Sequence, residues 1–333
     1  PYILPMERAL TENKVENRTA DTDTVAITIG LPVYNGENFL SAAIDSLLAQ
    51  TFTDFELIIA DNASTDDTEA ISRAYASRDR RIRYCRSDRN LGAAWNFNRI
   101  IEMAHGRYFK WSAHDDVLEP RFLERCFERL EKNPSAVLCF SEVAVIDAEG
   151  VLSETSEPLL RIDSPNPAVR FHDMIMVPHR CFHVFGLIRT DILRRTAGIA
   201  PYTSSDRVLL GELSLYGPFI DVPERLFYSR VHEKQSTRVF PSRHERMRWF
   251  DTQRGVITFP QWRILKGILR SVFKSPLGMH HRARCMLDVL WYIWVKRRYL
   301  AEDLNLALRT ALLRRPPERR AFGDRVQRAS VRR

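Results

Sequence analysis

A chain of 333 residues has room for two domains or one large one. With 44% hydrophobic and 28% charged residues, 13 Gly and 17 Pro, it is not collagen-like, low-complexity or wholly disordered. Five scattered cysteines (Cys85, Cys126, Cys139, Cys181, Cys285) with no Cys-x-x-Cys pair exclude a disulfide framework and a zinc knuckle, and read as reduced thiols in a cytoplasmic protein. The net charge of +8 is uneven: residues 241–333 hold 22 Lys and Arg against 7 Asp and Glu, a net of +15, which leaves −7 on the first 240. Such a tail reads either as a solvated basic face or as a site for a polyanion, nucleic acid or the anionic inner face of a membrane.

Residues 1–23 form a polar leader without the apolar run of a secretory signal. From Val25 the pattern changes. Val25, Ile27, Ile29 and Leu31 alternate as in a strand, and Pro32-Val33-Tyr34-Asn35-Gly36 ends it. Glu37 to Gln50 carries Leu40, Ile44, Leu47 and Leu48 at helical spacing, and Phe55 to Ala60 reads as a buried strand. The rhythm continues with a helix at 65–77, a strand at 81–86, a helix at 92–104, a strand at 107–112, a helix at 120–132 and a strand at 136–141. Strands alternating with helices of this length predict a parallel sheet covered on both faces. Beyond Gly150 the alternation weakens, with a helix near 168–176, strands at 181–189 and 219–229, and a helix at 206–216 between them.

From 243 onward the chain reads as helical. No stretch approaches the ~18–20 apolar residues of a membrane span, and the strongest run, Met286 to Val295, is broken by Asp288. Leu287, Leu290, Trp291 and Trp294 share one helical face between the basic residues Arg282, Arg284 and Lys296-Arg297-Arg298. That face would lie in a membrane interface or pack on the main body.

In a parallel α/β sheet the ligand sits beyond the carboxyl ends of the strands, so the loops at 32–36, 61–65, 87–92 and 112–117 are the ones to inspect. Asp61 ends a buried strand too early to cap the next helix, a role that falls to Ser64 or Thr65, and is placed to accept a base N–H or a ribose hydroxyl. Asp115-Asp116 is a repelling pair that a divalent cation would relieve, although a turn before a helix often carries two acids. Asn90-Leu91-Gly92 starts a helix where glycine permits close backbone approach. The chain has neither a Gly-x-Gly-x-x-Gly after the first strand nor a Gly-Lys-Ser/Thr phosphate loop, which argues against a dehydrogenase or a phosphate-loop enzyme.

Taken in order, Ile29 to Glu37, Ala43 to Phe52, Phe55 to Asp66, Asn90 to Gly92 and Asp115-Asp116 make residues 24–150 resemble the family 2 glycosyltransferases of the GT-A fold. The fold the resemblance implies is α/β, a nucleotide-binding, parallel-rich sheet flanked by helices, here with a helical C-terminal extension. It implies that Pro32, Tyr34 and Glu37 border a nucleotide, that Asp61 recognises the base, that Asn90 and Gly92 lie at the donor, and that Asp115 meets ribose or metal while Asp116 ligates Mn²⁺ or Mg²⁺. The family's acidic motif often reads Asp-x-Asp-Asp. Here it is Ala113-His114-Asp115-Asp116, without the first acid, and His114 is expected to pack or support rather than to ligate. Asp206 matches the family's general base, a helix-capping role being the alternative. Arg230 and His232, before Gln235-Ser236, match its diphosphate-holding segment, a polar surface hairpin being the alternative.

The expected protein is thus a metal-assisted, inverting glycosyltransferase using a nucleoside-diphosphate sugar, UDP-linked, and a saccharide or lipid-linked acceptor. Residues 24–150 would hold the donor, 151–240 the acceptor and base, and 241–333 would form a basic extension to the inner face of a membrane. A non-catalytic nucleotide- or glycan-binding module and a nucleotidyltransferase are the alternatives. The second lacks its Gly-rich basic loop, and nucleic acid is not the expected partner.

Overall fold

The computed structural model describes residues 25–153, 157–239, 243–252 and 259–312. The leader 1–23 and the end of the basic extension, from 313 onward, lie outside the described residues. Among the described residues nine strands form one sheet: β1 (Ile27–Val33), β2 (Phe55–Asp61), β3 (Ile82–Arg86), β4 (Tyr108–Trp111), β5 (Val117–Leu118), β6 (Leu138–Ile146), β7 (Leu152–Ser153), β8 (Leu187–Arg189) and β9 (Phe219–Arg230). Their order is β3-β2-β1-β4-β8-β6-β9-β5, with β7 on β6.

Helices α1 (Leu40–Leu48), α2 (Thr68–Ala76), α3 (Ala93–Met103) and α4 (Phe122–Lys132) follow the first strands in the predicted alternation. The second half adds α5 (Pro167–Met176), α6 (Thr190–Leu193), α7 (Ser205–Tyr216), α8 (Ser236–Val239), α9 (Arg243–Phe250), α10 (Pro260–Lys274) and α11 (Met279–Leu312). Asn166 caps α5 by accepting the Ala168 N–H, with Pro167 at the first helical position.

The sheet is mixed rather than parallel throughout. β1 pairs in parallel with β2 and β4, and β2 with β3. β8 then runs antiparallel to both β4 and β6, while β6 and β9 are parallel again. The predicted strand at 181–189 breaks in two: Phe182–Phe185 is a 3₁₀ turn entered through Cys181 at φ 62°, and only Leu187–Arg189 pairs.

All seven residues of β1 are buried, as befits a strand covered on both faces. Ile27, Ile29, Leu31 and Val33 pack with α1 and α4 residues such as Leu40, Ile44, Leu123 and Leu130 on one side. Each such side chain contributes roughly 1.5–3 kcal/mol on burial. The other side of the sheet is covered by α3, α5 and α7 through Ile100, Met174, Leu209 and Leu213.

A third core lies outside α5 and α7. There Phe171, Ile175, Tyr202 and Val208 meet Ile264, Ile268 and Val272 of α10 and Cys285, Val289, Tyr292 and Leu300 of α11. The predicted stripe Leu287, Leu290, Trp291, Trp294 is not part of it. These residues are 54%, 59%, 51% and 55% exposed, because α11 turns its opposite face to the body. Among the described residues no helix is long and apolar enough to cross a membrane.

Candidate active site

Parallel register brings the predicted residues of the first half to one rim. Val33 at the end of β1 pairs with Asp61 at the end of β2, which pairs with Arg86 at the end of β3, and the Ser112 N–H past β4 donates to Gly30 O of β1. The loops following these strands therefore emerge side by side. They are stapled together: Asn35, at φ 53°, donates its N–H to Ser64 Oγ (2.9 Å) and accepts the Thr65 N–H at 2.8 Å, and the Gly36 N–H donates to Thr68 Oγ1 (2.9 Å). Glu37 joins by accepting the Asp67 N–H (3.1 Å) and donating its own to Asp66. Pro32 is buried within β1, and Tyr34 is half-buried at the start of this loop.

Ser64 and Thr65 are thus occupied by Asn35 and do not cap α2. The helix starts later, and Asp66 accepts the Thr68 N–H at its start. Asp61 is fully buried and well partnered. Its Oδ1 accepts the Ser64 N–H (2.8 Å), and its Oδ2 accepts from Tyr84 Oη (2.8 Å) and Arg86 Nη1 (2.5 Å). Tyr84 and Arg86 were not singled out in the sequence. They alternate on β3 beside Asp61, and only the register reveals them.

Asn90 and Gly92 form a tight turn with Asn62, which donates to Asn90 Oδ1 (3.0 Å) and Gly92 O (3.2 Å), while Gly92 N–H also reaches Asn90 Oδ1. Gly92 sits at φ 91°, and a Cβ there would lie 2.6 Å from Phe250 O. What approaches this glycine in the structure is the end of α9.

Asp115 and Asp116 lie past β4, where β5 turns back along β9 with Val117 opposite Tyr228. That register sets the acidic pair beside the end of β9. Asp116 Oδ1 accepts the Arg230 N–H at 2.9 Å, Arg230 Nε donates to Asp115 O at 3.0 Å, and His232 Nε2 and Asp115 Oδ2 share a hydrogen bond of 3.0 Å. The Arg230 fork also reaches Asp147 O and Ala148 O. Phe39, just before α1, completes the cluster: its ring is 4.8 Å from the His232 ring and 4.8 Å beneath the Arg230 guanidinium. Sequence reasoning missed Phe39, whose one signal was an aromatic immediately before the apolar stripe of α1. His114 packs over Gly36 as expected of a supporting residue, and a Cβ on Gly36 would come within 2.6 Å of its ring.

The two carboxylates titrate apart. Burial drives Asp116 well above the usual carboxylate range, and the charge of Asp115 adds to this. Burial works the same way on Asp115, but His114 and His232 outweigh it and hold that carboxyl low. Lys110, fully buried on β4, donates to Phe185 O (2.5 Å) and Trp111 O (3.1 Å), and burial pulls its ammonium down to about 8.

Two adjacent carboxylates are hard oxygen donors, and a divalent cation would relieve the repulsion that adds to burial in raising Asp116. Among the described residues no three His, Cys, Asp or Glu gather to enclose a metal. This donor set suits an ion that completes its coordination with substrate phosphates and water, as Mg²⁺ characteristically does.

Asp206 opens α7 behind Ser204, a non-glycine residue at φ 62°. Its Oδ1 accepts the Arg207 N–H (2.8 Å) within the first turn, whereas the N-cap Ser204 makes no side-chain cap, and desolvation raises the Asp206 carboxyl above its ordinary value. Arg207 pins the segment around it by donating to Met174 O, Val177 O and His179 O. Three residues before Asp206, the Thr203 N–H donates to Met247 Sδ of α9 (3.4 Å), and Phe250 at the end of that helix covers Gly92. Asn35, Ala63 and Ser204, three of five described non-glycine residues at positive φ, lie within two residues of Tyr34 or Glu37, Asp61 and Asp206. Strained backbone of this kind concentrates at working sites.

The chain is similar to known proteins. The chain is 28% identical over 222 residues to "Uncharacterized glycosyltransferase RT0329" of Rickettsia typhi, covering 65% of this chain and 67% of that protein. It is 32% identical over 140 residues to "Uncharacterized glycosyltransferase MJ1057" of Methanocaldococcus jannaschii, 41% of this chain and 48% of the relative. To the chondroitin synthase of Escherichia coli it is 27% identical, over 68% of this chain but only 32% of the synthase. The chain therefore spans between about a third and two thirds of these relatives. In fold it resembles S. aureus TarS 1-349 in complex with UDP-GlcNAc, with a TM-score of 0.60 at 14% identity over 80% of this chain and 71% of that one. The profile of Glycosyl transferase family 2 matches residues 28–195, half of the sequence, and the chain belongs to that family.

Proposed function

We propose that this glycosyltransferase moves a sugar, with inversion, from a UDP-linked donor to a hydroxyl of a saccharide or lipid-linked acceptor. One observation carries the reading: Asp115 and Asp116 are held against Arg230 and His232 beside the loops that follow β1 and β2. Carboxylates able to hold a cation and cationic donors for phosphate oxygens thus stand together at the strand-end rim. The UDP-GlcNAc held by TarS, a protein of the same fold, favours a UDP-linked donor.

In this mechanism Pro32, Tyr34 and Glu37 border the nucleotide, Asn90 and Gly92 flank it, and the Asp61–Arg86 pair recognises the base. Asp115 faces ribose or metal, and Asp116 holds the metal. When bound there, Mn²⁺ or Mg²⁺ supplies charge neutralisation at the diphosphate oxygens. Arg230 and His232 donate to the same oxygens as negative charge grows on them. Asp206 takes the proton of the acceptor hydroxyl while its oxygen bonds to the anomeric carbon and the bond to the diphosphate breaks. Residues 24–150 serve the donor and 151–240 the acceptor.

A panel of nucleotide sugars assayed for metal-dependent hydrolysis tests the reading. Release of UDP from at least one sugar, abolished by EDTA, is expected. Tight UDP binding with neither hydrolysis nor transfer would instead mark a binding module.

A further inference from the structure

We infer that the outward face of α11 is a docking surface for an anionic lipid bilayer, with Trp291 and Trp294 set into the headgroup region. Between Met286 and Val295 this helix is apolar almost all round, a pattern that calls for cover on both sides. The described residues cover one side only. Cys285, Val289 and Tyr292 are buried against α10 and α5, whereas Leu287, Leu290, Trp291 and Trp294, spaced three and four apart on the opposite face, remain more than half exposed. The two indoles stack on each other at 4.8 Å rather than on the body, and the Arg297 guanidinium lies 4.7 Å over Trp294. The buried face fixes the helix's rotation, so the stripe cannot turn inward.

The occupant follows from charge. Arg284, Arg297, Arg298 and Arg309 are exposed along the same helix. Its acids are mostly withdrawn: Asp288 bonds His172 (2.8 Å) and Asp303 accepts the Gln261 N–H (2.7 Å), leaving Glu302 exposed. A second copy of the chain would set arginine against arginine. Residues 313–333 are no better complement, with eight Arg against Glu318 and Asp324. An aromatic and aliphatic stripe flanked by arginines matches the boundary between acyl chains and anionic headgroups, where such a helix lies in the plane without crossing.

Cosedimentation of the full chain with vesicles tests this. The protein should pellet with phosphatidylcholine vesicles containing about 30% phosphatidylglycerol, and far less with phosphatidylcholine alone, the binding fading as salt rises to a few hundred millimolar. Trp291→Ser with Trp294→Ser, and separately Arg297→Gln with Arg298→Gln, should each weaken partitioning roughly tenfold, since these side chains supply the apolar and the electrostatic parts. UDP binding measured alongside should stay at its native value in both variants, which separates this surface from the donor site. Wild-type protein left in the supernatant at low salt, a double-Trp variant that pellets like wild type, or a dimer lost in that variant without any vesicle binding would each overturn the inference.

Discussion

Asp206 is raised above its ordinary carboxylate value and Asp116 well above it, desolvation being the leading cause at both. For a general base this raises proton affinity, so the acid limb of the rate profile should lie above the ordinary carboxylate value and be absent in Asp206→Asn, whose turnover should fall by on the order of 10² or more. The same shift has a stability consequence. A folded-state value above the unfolded one means the contribution is fully present below the unfolded value and is lost as pH rises through the folded value. At neutral pH this half-buried carboxylate therefore works against the fold. Asp206→Asn should melt higher than the native protein at pH 7, with the gain shrinking towards pH 4. An equal or lower melting temperature at pH 7 would contradict this assignment of charge.

Phe39 makes a second case at this scale. Truncation to Ala removes the ring under Arg230 and beside His232, an interaction worth about 1 kcal/mol, or roughly fivefold in UDP affinity. Unchanged affinity by titration calorimetry would remove Phe39 from the site.

Among the elements, α9 shows how the second half of the chain closes on the first. Gly92 at φ 91° and ψ 158° occupies a backbone region nearly reserved for glycine, and the Phe250 carbonyl leaves no room for a Cβ. Gly92→Ala should cost about 1–3 kcal/mol from the backbone alone, read by urea unfolding. A variant as stable as wild type would contradict this backbone conformation at Gly92. The sequence shows why Gly92 is glycine only in part, since the residue that crowds it is 158 positions away.

The same distance separates what was readable from what was not. β1 to β4 announce themselves through alternation and buried runs. By contrast, β5 has two residues and β8 three, too short for any period, and both exist because a long neighbour, β9 or β6, supplies the hydrogen bonds. The acidic pair was legible as a pair. That Arg230 N–H and His232 hold it was not, because the contact depends on the return of β5 along β9 across more than a hundred residues.

At the scale of the molecule, the basic C-terminal helices are structural as well as charged. Ile264, Ile268, Val272, Val289 and Tyr292 close a third core over Phe171, Ile175 and Val208, the last on α7, whose first turn carries Asp206. Deleting residues from 260 onward would uncover several large apolar side chains, each costing roughly 1.5–3 kcal/mol, and should abolish cooperative unfolding or solubility. A truncated chain that melts as sharply and as high as the whole one would show this core to be dispensable.

The proposed sugar transfer requires a nucleoside diphosphate held through a cation at Asp115 and Asp116. Titration calorimetry of UDP with and without Mn²⁺, on the native protein and on Asp116→Asn, tests that most directly. The prediction is binding that strengthens strongly with Mn²⁺ in the native protein and loses that dependence in the variant. Equal UDP affinity in all four titrations would contradict it.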